Sequence, residues 1–294
     1  MTADRRTVLR TTVKLAALAA GGLLTACGDP GRRRADPGVF AARPEAVDPS
    51  GTVDPAWAGG EGPASPEPAG TTAAASPAPA ATATAPPVLP PLAPGTPVEV
   101  AYGPRTGRGV ALTFHGSGDP ALAAALLEIA ERRGVGLTVM AVGSWLDQQP
   151  QMARRILDGG HELGNHTQNH QNISTMPPDR ARAEIAQCAE RLQRLTGSIG
   201  RWFRPSAAQY ATPMVREQAK AVGYEHVLSF DVDPRDYADP GAAELQRRVL
   251  GSVRGGSVVA LHLGHRCTVD ALPGILDGLG RAGLTPVTAS RLFA

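Results

Sequence analysis

Lysine is almost missing from this chain: it occurs only as Lys14 and Lys220, and arginine carries the rest of the basic charge. That bias reflects codon usage and has no bearing on function. Net charge is small as well, +2 over 294 residues. The first 26 residues hold Arg5, Arg6, Arg10 and Lys14 against Asp4, four bases minus one acid, so they carry +3 and the remainder −1. No basic patch strong enough for nucleic acid is left, which excludes that class of partner. Long hydrophobic runs are lacking too. The most apolar early stretch, "LAALAAGGLL", is too short and too rich in small residues for a stable membrane span. No G-x-S-x-G elbow occurs, so "HGSGD" at 115–119 is a poor serine-esterase segment with Ser117 as nucleophile. As a phosphate loop the same stretch lacks a third glycine, and Asp119 would repel phosphate at the helix start.

What is present begins with an address. "DRRTVLR" sets Arg5-Arg6 before the short apolar stretch, as in twin-arginine export signals. "LLTAC" ends that stretch, and Leu24-Thr25-Ala26-Cys27 resembles a lipoprotein lipobox. The expectation is a signal segment over 1–26, lipid attachment at Cys27, and a location on the outer face of the cell membrane. Residues 28–96 have no hydrophobic period; their Pro/Ala/Thr-rich composition cannot assemble a core. Together with Cys27 they read as a disordered linker, a passive spacer reaching on the order of 45 Å as flexible coil. Export leaves Cys188 and Cys267, which either pair or stay free; Cys188 falls on the apolar face of an expected helix.

From residue 97 the pattern becomes that of a folded domain. Short β-rich runs at 110–114, 137–142, 161–166, 201–205, 226–232, 257–263 and 284–289 alternate with amphipathic segments at 120–133, 144–158, 178–196, 213–222, 242–253 and 270–282. Asp119-Pro120 and Pro177-Pro178 mark helix starts; Gly134, Gly159-Gly160, Gly197 and Gly283 mark stops. About seven strands, each followed by a helix, imply an α/β fold with a parallel sheet, open or closed as a barrel. Chemistry in such folds gathers at the carboxyl ends of the strands. There the chain places His115, His166, His262, Arg204 and the acids Asp231, Asp233 and Asp236.

Each of these positions has a structural as well as a chemical explanation. "GNHTQNH" sets His166 and His170 four residues apart, a spacing that chelates metal on a helix or tight turn and that surface histidines also show. Arg204 in "FRPS" can hold a carboxylate bidentately or form a surface ion pair. "SFDVDPRDY" is a site or a turn, and His262 in "VVALHLGH" is a core histidine or a reactive one.

In order, these segments resemble the polysaccharide deacetylase family, the NodB-homology domains of carbohydrate esterase family four, over about residues 105–292. "NHTQNH" is similar to its H-[ST]-x-x-H metal segment, with Thr167 at the hydroxyl position. "FRP" is similar to its arginine motif, "DVDPRDY" to its aspartate-aromatic motif, Leu261-His262 to its terminal histidine motif, and "GLTPVTASRL" to its closing strand. The resemblance implies a distorted (β/α) barrel over 97–294 that removes acetyl groups from an N-acetylated glycan, peptidoglycan being the nearest candidate. It implies a divalent metal, commonly zinc, with His166 and His170 as ligands and His262 as the acid. Asp236 would tune that acid and Arg204 would hold neighbouring acids in place. The protein is expected to act as a monomer.

The family's T-F-D-D-G motif, laid without gaps, falls on Thr113-Phe114-His115-Gly116-Ser117. His115 then stands at the base position and Gly116 at the metal-aspartate position, while Ser206-Ala207 replace the usual proline and aromatic after Pro205. Three outcomes stay open: His115 is a third metal ligand, it is the general base, or the domain is a catalytically impaired glycan-binding relative. Asp119, at a helix start, reads as a cap.

Overall fold

"GVALTFHG" forms the longest strand of the fold and the axis on which the rest is arranged. The computed structural model describes residues 88–294; the expected signal segment 1–26, the lipid attachment at Cys27 and the linker up to residue 87 lie outside the described residues. Eight strands follow in chain order: β1 Glu99–Val100, β2 Gly109–Gly116, β3 Thr138–Ala141, β4 Glu162–Asn165, β5 Trp202–Phe203, β6 His226–Leu228, β7 Val258–His262 and β8 Thr285–Val287. The helices are α1 Pro120–Arg132, α2 Gly143–Gln148, α3 Gln151–Asp158, α4 Pro178–Thr196, α5 Pro213–Val222, α6 Ala242–Ser252, α7 Arg266–Arg281 and α8 Ala289–Leu292. The expected helix over 144–158 divides in two at Gln149-Pro150, because a residue before proline is pushed out of helical geometry.

The sheet runs β1-β6-β5-β4-β3-β2-β7, every named pair parallel. Beyond β6 the chain bridges Val232 to Val259 on β7, with Ala260 N–H donating to the Val232 carbonyl at 2.9 Å, and this closes the ring. The barrel is distorted at β8. Ala111 on β2 pairs with Val258 of β7 and with Val287 of β8, so β8 occupies the edge of β2 that β3 uses further along. The expected distorted (β/α) barrel is therefore the fold, with two-residue β1 and the short closing helix α8 as additions.

Alternation along each strand sorts the residues. Val110, Leu112 and Phe114 of β2 face outward into the large core shared with α1, α3, α6 and α7. Ala111 faces inward with Met140, Trp202, Leu228, Val258 and Ala260, closed off below by Ala289, Leu292 and Phe293. The same period carries Thr113 and His115 to the inner face. Asp119 caps α1, its Oδ1 accepting from Ala121 N–H at 2.8 Å, and Gly197 ends α4 in the left-handed region. Cys188 and Cys267 are both free and buried.

One boundary moves. Residues 89–96, expected in the linker, run along the domain. Leu92 packs on the inner cluster, Arg201 Nη1 donates to the Pro90 carbonyl at 2.6 Å, and Ala93 N–H donates to the Phe293 carbonyl at 2.8 Å. Proline-rich chain docked mainly through its backbone leaves no side-chain period to reveal it.

Candidate metal centre

Three strands, β2, β4 and β7, deliver the four histidines of the site. His115 and His262 are register partners on β2 and β7, both inward-facing at the carboxyl ends. His166 follows β4, tied by its N–H to the Ala141 carbonyl of β3 at 2.9 Å. His170 reaches back to it through a tight turn rather than a helix. Thr167 and His170 adopt φ of 67° and 55°, Asn165 Oδ1 accepts from Thr167 N–H at 2.9 Å, and Thr167 Oγ1 accepts from His170 N–H at 3.2 Å. This turn gives the His-x-x-x-His spacing its geometry: the two Nε2 atoms lie 3.1 Å apart. One nitrogen from each of His115, His166 and His170 falls within 4.8 Å of the others.

The hydrogen-bond partners fix which nitrogens are free. His166 Nδ1 faces the Arg204 carbonyl at 3.0 Å, an acceptor, so Nδ1 carries the proton and Nε2 keeps its lone pair. His115 Nδ1 faces His262 Nε2 at 2.9 Å, while its Nε2 is enclosed and has no partner. Burial above all, then neighbouring positive groups, holds His115 and His166 well below the ordinary imidazole value; burial and His262 lower His170. Imidazole nitrogens that converge, one of them without a partner, are what a divalent metal needs, and three imidazoles with an open fourth position suit zinc.

Asp236 stands behind His262. Wholly buried, it accepts from His262 Nδ1, the His262 backbone N–H and Thr268 Oγ1, each at 2.7 Å. It opens a 3-10 turn, Asp236–Ala238, held between Arg235 at φ 56° and Asp239 at φ 45°. Every non-glycine residue with positive φ in the described chain lies in the loops after β4, β5 and β6 that ring this site: Thr167, His170, Ala207, Arg235 and Asp239. Such strain is held where surrounding structure fixes a functional geometry.

Arg204 departs from expectation. Among the described residues it holds no carboxylate: Nε donates to the Leu228 carbonyl at 2.8 Å, Nη2 to Thr113 Oγ1 at 2.9 Å and to the Ser229 carbonyl at 3.4 Å, and Nη1 has no partner there. Burial pushes its pKa down to about 9. The physical reason is on β2, where a histidine, not an acid, occupies position 115. Position 116 offers no alternative, since a Cβ on Gly116 would come within 2.9 Å of Val139 Cγ1 and 3.0 Å of Ala141 Cα. Asp231 is occupied elsewhere, pairing with Arg105 at 2.8 Å and accepting from Val258 N–H.

The four histidines line a cavity of about 340 Å³ with Asp233, Tyr237, Phe230 and Gln209. A larger hollow of about 610 Å³ beside Tyr102 and Tyr210 brings no imidazoles together; convergence, not size, marks the site. Thr113 enters through the first motif, whereas Thr268, Gln209 and Phe230 are contributors that sequence reasoning missed. A lone threonine at a helix start, such as Thr268, carries no distinguishing pattern.

The polysaccharide deacetylase pattern matches residues 102–227. The chain is 31% identical over 194 residues to a peptidoglycan-N-acetylglucosamine deacetylase of Bacillus cereus, covering 65% of this chain and 90% of that one. It is 33% identical over 169 residues to a chitooligosaccharide deacetylase of Rhizobium leguminosarum bv. phaseoli, covering 57% and 72%. Among solved structures, the Bc1960 peptidoglycan N-acetylglucosamine deacetylase superposes with a TM-score of 0.63 at 27% identity, over 67% of this chain and 92% of that one. BA3943, a CE4 family pseudoenzyme from Bacillus anthracis, shares the fold with a TM-score of 0.64 at 24% identity, over 68% and 70%.

Proposed function

This chain belongs to the polysaccharide deacetylase family, and we propose that it is a metal-dependent hydrolase removing N-acetyl groups from a cell-wall or similar N-acetylated polysaccharide. The observation that carries the proposal is the convergence of one nitrogen each from His115, His166 and His170 within 4.8 Å, in a cavity that His262 also lines with Asp236 bonded behind it. These three histidines would hold the ion, zinc being the best match to an all-imidazole set with one open position. Bound there, it supplies Lewis-acid polarisation of an acetamide carbonyl and a more acidic water. Asp236 orients His262, which handles the proton that must reach the leaving amine. Arg204, wholly buried, lies near enough for its positive charge to act on His115 and His166, and its main-chain carbonyl orients His166. The exposed Tyr237 ring, 5.5 Å from His262, offers a face to the sugar. In this account the domain works as a monomer outside the cell, anchored by lipid at Cys27.

A second function is favoured by one observation: with no acid at 115 or 116 and none facing Arg204, the carboxylates implied by the family motif are missing. On that basis the domain would be a catalytically impaired relative that binds glycan. Bound metal and acetate release from N-acetylglucosamine oligomers and peptidoglycan, measured for the natural chain and the His166→Ala/His170→Ala variant, separate the two. Stoichiometric metal and acetate release, both lost in the variant, support the hydrolase. Metal without acetate from any N-acetylated glycan selects the binding protein. No metal, and no effect of the double substitution, rejects the site.

A further inference from the structure

We propose that His262 braces His115, so that the proton-handling histidine is also a positioning residue for the metal centre; this rests on the three-histidine reading above. The two rings are register partners on adjacent strands, with His115 Nδ1 and His262 Nε2 2.9 Å apart and ring planes at 87°. The chain of contacts continues without a gap: His262 Nδ1 to Asp236 Oδ1 at 2.7 Å, and Asp236 Oδ2 to both Thr268 Oγ1 and the His262 backbone N–H at 2.7 Å.

Hydrogen counting sets the direction. The free nitrogen of His115 is Nε2, enclosed and without a partner. An imidazole that ligates through Nε2 in its neutral form carries its hydrogen on Nδ1. That hydrogen has one acceptor in reach, His262 Nε2, and His262 can accept there because its own hydrogen sits on Nδ1, facing the acceptor-only Asp236 carboxylate. The series therefore runs as donor to acceptor from His115 through His262 to Asp236, the outer-shell pattern that fixes tautomer and ring orientation of a ligating histidine.

The other ligands differ. His166 is braced by the main-chain carbonyl of Arg204, which no side-chain substitution removes. His115 is the ligand whose brace can be deleted. The bracing also constrains chemistry, since a ring that accepts at Nε2 cannot at that moment donate from it. Proton delivery by His262 requires the His115 contact to open, so the two duties alternate.

The test uses the full chain loaded with cobalt(II), whose visible bands report ligand geometry, and affinity measured by competition with a chromogenic chelator. His262→Leu, similar in size but unable to accept, is expected to weaken metal binding about 10- to 100-fold and to shift the cobalt bands. His262→Gln, whose amide oxygen can accept from Nδ1–H, is expected to recover most of the affinity and the spectrum. Unchanged affinity and spectrum in His262→Leu, or equal losses in both variants, overturn the bracing while leaving the metal centre intact. A natural chain that binds no metal overturns the three-histidine reading itself. Should His262→Leu fail to fold, Thr268→Val, which removes a donor that fixes Asp236, carries the test: a several-fold loss supports bracing and an unchanged affinity overturns it.

Discussion

The two ends of the barrel interior both bury polar side chains, and they treat them oppositely. At the floor, Glu162 accepts from Trp202 Nε1 at 3.0 Å, Ser290 N–H at 3.0 Å and Thr138 Oγ1 at 3.2 Å, with the Ser290 hydroxyl bonded as well. At the mouth, His115 Nε2 and Arg204 Nη1 are enclosed without partners. Native structures satisfy nearly all buried polar groups, so exceptions call for an explanation. A satisfied network locks α8 onto the barrel; an unsatisfied one, ringed by strained loops, is poised for a ligand. The floor is architecture and the mouth is chemistry.

The largest effect should come at the mouth. His166→Ala/His170→Ala removes two of three ligands and is expected to lower metal affinity at least 1,000-fold, on the order of 4 kcal/mol or more, with a smaller change in the thermal midpoint of the metal-free protein than a substitution at the floor. Isothermal titration and differential scanning calorimetry read the two halves. Glu162→Ala should invert the pattern: a loss of about 3 kcal/mol of stability as the Trp202 and Ser290 donors are stranded, with metal affinity unchanged. Denaturant unfolding beside the same titration would break the comparison if both variants lost both properties.

Acidity should distinguish the ends next. Burial, and then neighbouring positive charge, holds His115 and His166 well below the ordinary imidazole value. The unfolded chain takes up protons near pH 6.5 that the fold refuses, so the mouth's contribution is present above that pH and lost as pH falls toward the depressed folded values. Burial instead raises Glu162, so its contribution is lost as pH rises above the ordinary carboxylate value. The thermal midpoint of metal-free protein should drop between pH 7 and pH 5, and His115→Asn/His166→Asn should flatten that drop. A drop of equal size in the variant would place its origin elsewhere. Smallest, Asp119→Ala should cost about 1 kcal/mol through the lost cap of α1, with metal binding untouched. A change in metal affinity would instead give Asp119 a place in the site.

The mouth was more legible in the sequence than the floor, for a physical reason. Apolar residues leading into His115, Arg204 and His262, and the polar turn that His166 opens, announce strand ends in a parallel fold, where polar side chains stand out against apolar neighbours. Glu162 opens a strand, and its partners Thr138, Trp202 and Ser290 are scattered over three distant elements, so no local pattern joins them. The turn that sets His170 against His166 was foreseeable as a spacing, but its left-handed backbone was not. Arg204 shows the opposite failure: its position at the strand end was plain, yet its expected acid partners were not there to hold.

The central claim is that His115 completes a three-histidine metal centre in place of an acid. Metal bound per chain at equilibrium, compared between the natural protein and His115→Ala, tests it most directly. The account predicts one ion per natural chain and loss of that ion in the variant. Full retention of metal by His115→Ala would contradict it and return His115 to the role of a base or a bystander.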